Sequence, residues 1–216
     1  MNSLSLLVRN PVIVLPGIIV GAAAAAAEFA LVALALPDWM LTGALFLVAL
    51  VLALAQMAYV TGMAGAAWRH GRTGLRDGWD ALTHRGFAAA GAGALLVLIG
   101  FCAAVLTPAT LGITLLAYAV FFIYTMAAVV IGERAPIAGI VESASTALAN
   151  IMPTIGIVAL IAVIAALGGW LGSLAGRLSE VGGALVAGLL QQVIVAYASL
   201  VVAGEYLKLT KRLDVS

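Results

Sequence analysis

The residues best equipped for chemistry lie together in one stretch, RHGRTGLRDGWDALTHRG, at 69–86. It holds both histidines, His70 and His84, beside Asp77 and Asp80, with Arg69, Arg72, Arg76 and Arg85 around them. Imidazoles next to carboxylates could relay protons or hold a metal, and arginines could clamp a phosphate. The spacing speaks against the first two. A structural zinc site needs about four ligands at short, regular intervals, and no third ligand follows the histidines here. Asp77 and Asp80 fall on the polar face of a short helix whose nearest charges are arginines. The single cysteine, Cys102, excludes an internal disulfide and any CxxC motif. A net charge of +1 excludes the broad basic surface of a nucleic-acid binder. The GAGALL run at 91–96 lacks the third glycine of a dinucleotide fingerprint, and no Walker motif occurs. No catalytic residue, cofactor or metal ligand is therefore assigned, and the chain reads as a non-enzyme.

The elements that carry this stretch are strongly apolar. Of 216 residues 65% are hydrophobic and 9% charged, and the mean hydropathy is +1.22. Soluble domains are about half apolar and about a quarter charged. Apolar runs of roughly 20 residues, long enough to cross a bilayer, fall near 12–36, 40–67, 87–106, 110–131, 152–174 and 183–206. They are continuous and rich in Ala and Leu rather than alternating, which excludes a β-barrel. The expected fold is all-α: one polytopic membrane domain over 1–216 with six transmembrane helices. The first run imitates a signal peptide, but it continues past Glu28 to Leu36 and reads as an uncleaved anchor.

Charge sets the expected direction. One side of a six-span chain receives Arg9, Arg69, Arg72, Arg76, Arg85, Arg134, Lys208, Lys211 and Arg212; the other receives Arg177. The positive-inside rule then puts both termini in the cytoplasm, in a prokaryotic cytoplasmic (inner) membrane.

Spacing also suggests an internal repeat. Residues 72–86 can form an amphipathic helix capped by Thr73, with Leu75, Trp79 and Leu82 on one face and Arg76, Asp77, Asp80 and Thr83 on the other. Residues 136–150 (PIAGIVESASTALAN) repeat the layout, with Ile137, Ile140, Val141, Ala144 and Leu148 apolar and Glu142 as the one charge. Leu4, Leu7 and Val8 before Asn10-Pro11 offer a shorter third copy. Two or three short cytoplasmic interfacial helices are expected, in three hairpin repeats of about 1–68, 69–132 and 133–207 with a tail at 208–216. Leu75, Arg76, Trp79, Leu82 and Arg85 are the expected contact to lipid headgroups or to a partner protein.

The Asn-Pro entry in LLVRNPVIVLPGIIVG, the amphipathic helix and ESASTALAN before the fifth span resemble a loose family of six-helix membrane proteins. These are similar to the membrane domain attached to some glycerophosphodiester phosphodiesterases. The likeness covers nearly the whole chain and implies an architecture. The catalytic barrel of those enzymes is absent from this sequence, so it implies no catalytic residue.

Polar groups at membrane depth complete the candidates. Glu28 lies roughly 12 Å below the outer end of its span at 1.5 Å per residue, and Gln191 and Gln192 reach a comparable depth in the sixth. Pairing of spans one and six would let a glutamine donate to Glu28 and line an outward-facing polar cavity. Gln56 and Tyr59 sit deeper in the second span. Gly17 with Gly21, and Gly168, Gly172 and Gly176, form small-residue faces for close helix packing within one chain or in a homo-oligomer. Pro16 is expected to kink the first span. The function expected from this pattern is a non-catalytic multi-pass protein that organises lipid or a membrane partner complex. The alternative is the membrane subunit of a small-solute or lipid transporter energised by a separate chain.

Overall fold

The computed structural model describes residues 2–110, 112–178 and 180–210. Among the described residues the regular elements are all helical, in the order α1 (Ser3–Arg9), a 3-10 turn (Pro11–Val14), α2 (Leu15–Ala33), α3 (Asp38–His70), α4 (Leu75–Leu106), α5 (Ile113–Phe122), α6 (Thr125–Val130), α7 (Pro136–Ala149), α8 (Ile151–Leu178) and α9 (Glu180–Leu209). Of the expected tail at 208–216, α9 takes in Lys208 and Leu209, and residues 211–216, with Lys211 and Arg212, lie outside the described residues. Six segments are long and apolar enough to cross a membrane: Pro11–Ala33, Asp38–His70, Leu75–Leu106, Ile113–Val130, Ile151–Arg177 and Leu185–Leu209.

The middle interfacial helix is not a separate element. The chain enters α4 at Leu75 and stays helical to Leu106, so the third span and the expected amphipathic helix are one rod of 32 residues. At 1.5 Å per residue it is about 48 Å long, well beyond the ~30 Å hydrocarbon core of a bilayer. Gly86, which marks a boundary in the sequence, is an interior helical residue. The cap differs too. Gly74 is the N-cap, and the Asp77 carboxylate reaches back to accept from its backbone N–H at 2.8 Å and from the Thr73 hydroxyl at 3.1 Å. Asp77 thus closes the helix start instead of facing solvent freely.

The first and third interfacial helices are separate, and they end alike. Asn10 closes α1 with φ −129° and ψ 59°; Asn150 closes α7 with φ −134° and ψ 47°. Each side-chain amide donates to the carbonyl four residues earlier, Asn10 to Leu6 at 2.9 Å and Asn150 to Thr146 at 3.0 Å. At Leu6 this adds to a backbone bond from the Asn10 N–H at 3.0 Å, and both side chains secure the helix end as the chain turns into the next span. Proline follows each asparagine, at Pro11 and at Pro153. Pro16 sits in the first turn of α2, where no backbone N–H is needed, and marks the change from 3-10 to α geometry rather than a mid-span kink.

The core lies at the end where α1, the α3–α4 turn, α7 and the C-terminal part of α9 meet. Leu6, Ile13, Met63, Tyr124, Leu200, Tyr206 and Leu207 are essentially fully buried there. A methyl group at Gly78 would overlap the Tyr59 ring, and one at Gly62 would overlap Ala81, so α3 and α4 run in close contact at this end. Small-residue packing between α8 and α9 uses part of the predicted face. Gly168 abuts Ile194 and Gly172 abuts Ala187, while Gly176 faces open space.

Candidate functional site

The intramembrane polar groups pair differently from the sequence expectation. Gln192 of α9 accepts from Gln56 of α3, Nε2 to Oε1 at 2.7 Å. Gly17 of α2 lies against the same Gln192 side chain so closely that a Cβ there would overlap it. Spans one and six therefore do meet, but at Gly17. Four residues on, Gly21 has nothing within 4 Å of where a Cβ would stand, so α2 diverges from α9 beyond this point. Glu28 is on nearly the same helical face as Gly17, about 16 Å further along, and is exposed. Gln191 is exposed as well. Glu28 and Gln191 do not join the Gln56–Gln192 pair.

The fourth span is discontinuous. Helix α5 stops at Phe122 and α6 starts at Thr125. The break is held by Ser143, fully buried in the middle of α7: its hydroxyl donates to the Phe121 carbonyl at 2.8 Å and accepts from the Tyr124 N–H at 3.1 Å. One side chain thus replaces the helical bonds that the break removes, as an apolar setting requires. Ser143 reaches this position because α7 packs through small residues, Gly139, Ser143 and Ala147. The larger residues Ile137, Val141 and Leu148 face outward. The Tyr124 hydroxyl meets Thr154 of α8 at 3.2 Å, and the Tyr206 hydroxyl donates to Glu142 at 2.6 Å. Glu142, the lone charge of α7, also pairs with Arg134.

Beside the break lies a cavity of about 480 Å³. Its walls come from α3 (Met57, Thr61), α5 (Tyr118, Phe122), α6 (Met126), α8 (Val158, Ala162) and α9 (Val195, Ser199, Val202), with Leu96 of α4. Met57 and Ala162 are exposed, so the space is reached from outside the bundle. The wall is almost wholly apolar. Of its hydroxyls, Tyr118 donates to the Leu96 carbonyl at 3.0 Å.

A second cavity, about 440 Å³, is polar and opens at the charged end. Arg69 and His70 from the end of α3, Asp77, Asp80, His84 and Arg85 from the start of α4, and Glu133 after α6 all line it. The stretch with the richest chemistry in the sequence is therefore folded around one space, which linear spacing could not reveal. Arg85 bonds Glu133 at 2.7 Å, and Arg69 donates to the Ile131 carbonyl at 3.2 Å. Both bonds tie the α3–α4 hairpin to the segment after α6. Arg76 is solvent-facing and makes only a long contact to Asp80, at 3.9 Å. Leu75 and Trp79 are exposed, as an interfacial contact requires, while Leu82 is half-buried against the Ala89–Val130 cluster. Among the described residues, no three His, Cys, Asp or Glu side chains converge as a metal site would need.

Asn10 ties this end to the N-terminus. Its carboxamide oxygen accepts from the Thr73 N–H at 2.9 Å, and its nitrogen approaches the Gly71 carbonyl at 3.4 Å. Gly71 takes the left-handed conformation (φ 72°) that ends α3, which glycine adopts without the steric cost borne by other residues.

No family model, curated protein or solved structure matches this chain. The likeness to the membrane domains of glycerophosphodiester phosphodiesterases rests on the sequence motifs alone.

Proposed function

We propose that this is a non-catalytic multi-pass membrane protein that retains a lipid, with an acyl chain held in the apolar cavity beside α3, α5, α8 and α9. The charged end faces the cytoplasm of a prokaryotic cell, because all the described basic residues except Arg177 gather there. The observation that carries the reading is the cavity itself. Its size falls in the usual range of ligand sites, roughly 300–1,000 Å³, and its wall offers apolar surface with few polar groups. The exposed Met57 and Ala162 give a chain a way in from the bilayer. No wall residue pairs a nucleophile with a general base, so the geometry favours holding over turnover.

Native mass spectrometry of the protein in mild detergent tests this. The wild-type chain should leave the membrane with lipid bound. Ala162→Trp, which fills the mouth, should lower the lipid-bound fraction about tenfold, a change of about 1.4 kcal/mol. An unchanged fraction would reject the cavity as the site.

The discontinuous fourth span supports a second reading, since broken helices are common at carrier sites. On that reading the protein is the membrane subunit of a transporter. Pull-down from native membranes would then return a stoichiometric ATPase, lost when Leu75 and Trp79 are replaced.

A further inference from the structure

The polar cavity lies where three chain segments leave the apolar slab. No charged residue occurs between Asp38 and Arg69, and none between Arg85 and Glu133. Arg69, Arg85 and Glu133 are thus the first charges reached on leaving the second, third and fourth spans, and all three line this one space. Phe87, 97% exposed, follows Arg85 by two residues and marks the apolar side of that boundary. From Phe87 to Leu106 the rod covers about 29 Å, close to a hydrocarbon thickness. The cavity is therefore at headgroup depth.

It is also within one helical turn of the apolar cavity. Helix α3 gives Thr61 to the apolar space and Gly65 to the polar one; α6 gives Met126 to the first and Val130 to the second. Four residues of helix span about 6 Å. An amphiphile lying along these helices would set its chain against the first space and its headgroup against the second.

The lining has both signs of charge. Arg69 and His70 are donors suited to a phosphate diester, and Asp80 and Glu133 are acceptors suited to an ammonium, while Arg85 is bonded to Glu133 and His84 Nδ1 to the Asp80 carbonyl. Asp77 is spent on the start of α4. Arg69 has one of its five N–H groups on Ile131, which leaves others facing the space. Glu133 takes a left-handed backbone (φ 58°) that ends α6, with the Arg134 N–H donating to the Ala128 carbonyl at 3.1 Å, and this cap sets the carboxylate at the cavity wall. A purely anionic headgroup would meet two carboxylates, and a purely cationic one would meet two guanidinium groups.

We propose that the polar cavity binds the headgroup of a zwitterionic phospholipid bearing a primary ammonium, with phosphate toward Arg69 and His70 and ammonium toward Asp80 and Glu133. This rests on the lipid-retaining reading above and adds the identity of the lipid. The primary ammonium matters, because its N–H groups can donate to carboxylates and a quaternary ammonium has none.

The test is competitive retention by the whole protein in detergent. Phosphatidylethanolamine, phosphatidylglycerol and phosphatidylcholine with identical chains are supplied in equal amounts, and the bound ratio is read by native mass spectrometry. Phosphatidylethanolamine should exceed each of the others about tenfold. Asp80→Asn, at an exposed position, should bring the ratio near unity. Equal retention of the three lipids, a preference for phosphatidylglycerol, or an unchanged ratio in Asp80→Asn would each overturn the proposal. Displacement of the lipid by millimolar free phosphoethanolamine would overturn it too, since the site would then take a soluble headgroup without chains. Ala162→Trp separates the two claims. It should reduce all three lipids alike, so its failure counts against the acyl cavity and leaves the headgroup ratio readable.

Discussion

The two ends of the helix bundle are built on different terms. At the charged end Leu6, Met63, Tyr124 and Tyr206 are fully enclosed, and side chains bond across long sequence separations, as Trp68 Nε1 does to the Leu200 carbonyl at 2.7 Å. At the other end Phe29 is 81% exposed, Trp39 75%, Phe101 66% and Trp170 60%. The residue types are equally apolar, so hydrophobicity does not explain the contrast. In a bilayer, lipid tails solvate a phenylalanine as well as a leucine from the next helix would, and apolar surface alone does not drive helices together. Close packing is found where polar groups and backbone breaks must be satisfied inside the protein. The positions of Ser143, Asn10, Gln56 and Trp68 therefore mark where the structure is held, and the aromatic residues of the other end mark where it meets lipid.

That contrast can be broken in three places. The largest effect is expected from Gly78→Ala, whose new methyl must displace the Tyr59 ring from its bond to the Leu75 carbonyl. Overpacking of this kind costs about 1–3 kcal/mol, and a clear fall in the thermal midpoint measured in detergent should report it. A midpoint like that of wild type would mean that α3 and α4 can separate freely here. Ser143→Ala should come next. It strands the Phe121 carbonyl and the Tyr124 N–H in a buried setting, at about 1–3 kcal/mol, and amide exchange at Tyr124 should rise sharply. If exchange at Tyr124 stays slow, the break is held by something other than the hydroxyl. The smallest effect belongs to Glu28→Ala at the loose end, expected within about 0.5 kcal/mol of wild type as for exposed positions generally. A loss of several degrees, or of lipid retention, would show that the outer end is a working part after all.

Much of this architecture is legible in the amino-acid sequence because apolar length is a strong signal. Each of the six expected spans overlaps an observed one, and the α1 and α7 regions announce themselves through their asparagine ends. What stays hidden depends on rotation about a helix axis and on partners distant in sequence. Counting depth along a span puts Glu28 and Gln192 at similar levels, whereas Gln192 lies against Gly17, about 16 Å of helix away from Glu28. The break at 123–124 is invisible in an unbroken apolar run, because the group that permits it is Ser143, some 20 residues later. The polar cavity is hidden for a related reason. Its histidines, aspartates and arginines are adjacent in the chain, yet the carboxylate opposite Arg85 comes from Glu133, 48 residues away. The continuity of α4 through Gly86 shows the reverse error, since a glycine in a rod held by its neighbours need not end it.

The bonds that join α9 to α3 have a consequence in time. Gln56 waits for Gln192 and Trp68 waits for Leu200, separations of 136 and 132 residues. At about 5–20 residues per second of synthesis, the second span is exposed to the bilayer for on the order of ten seconds before its partner exists. During that interval its glutamine and indole must find substitutes among lipid headgroups, water or the insertion machinery. The last helix acts as a latch, and the nascent protein is an open bundle until α9 arrives to close it.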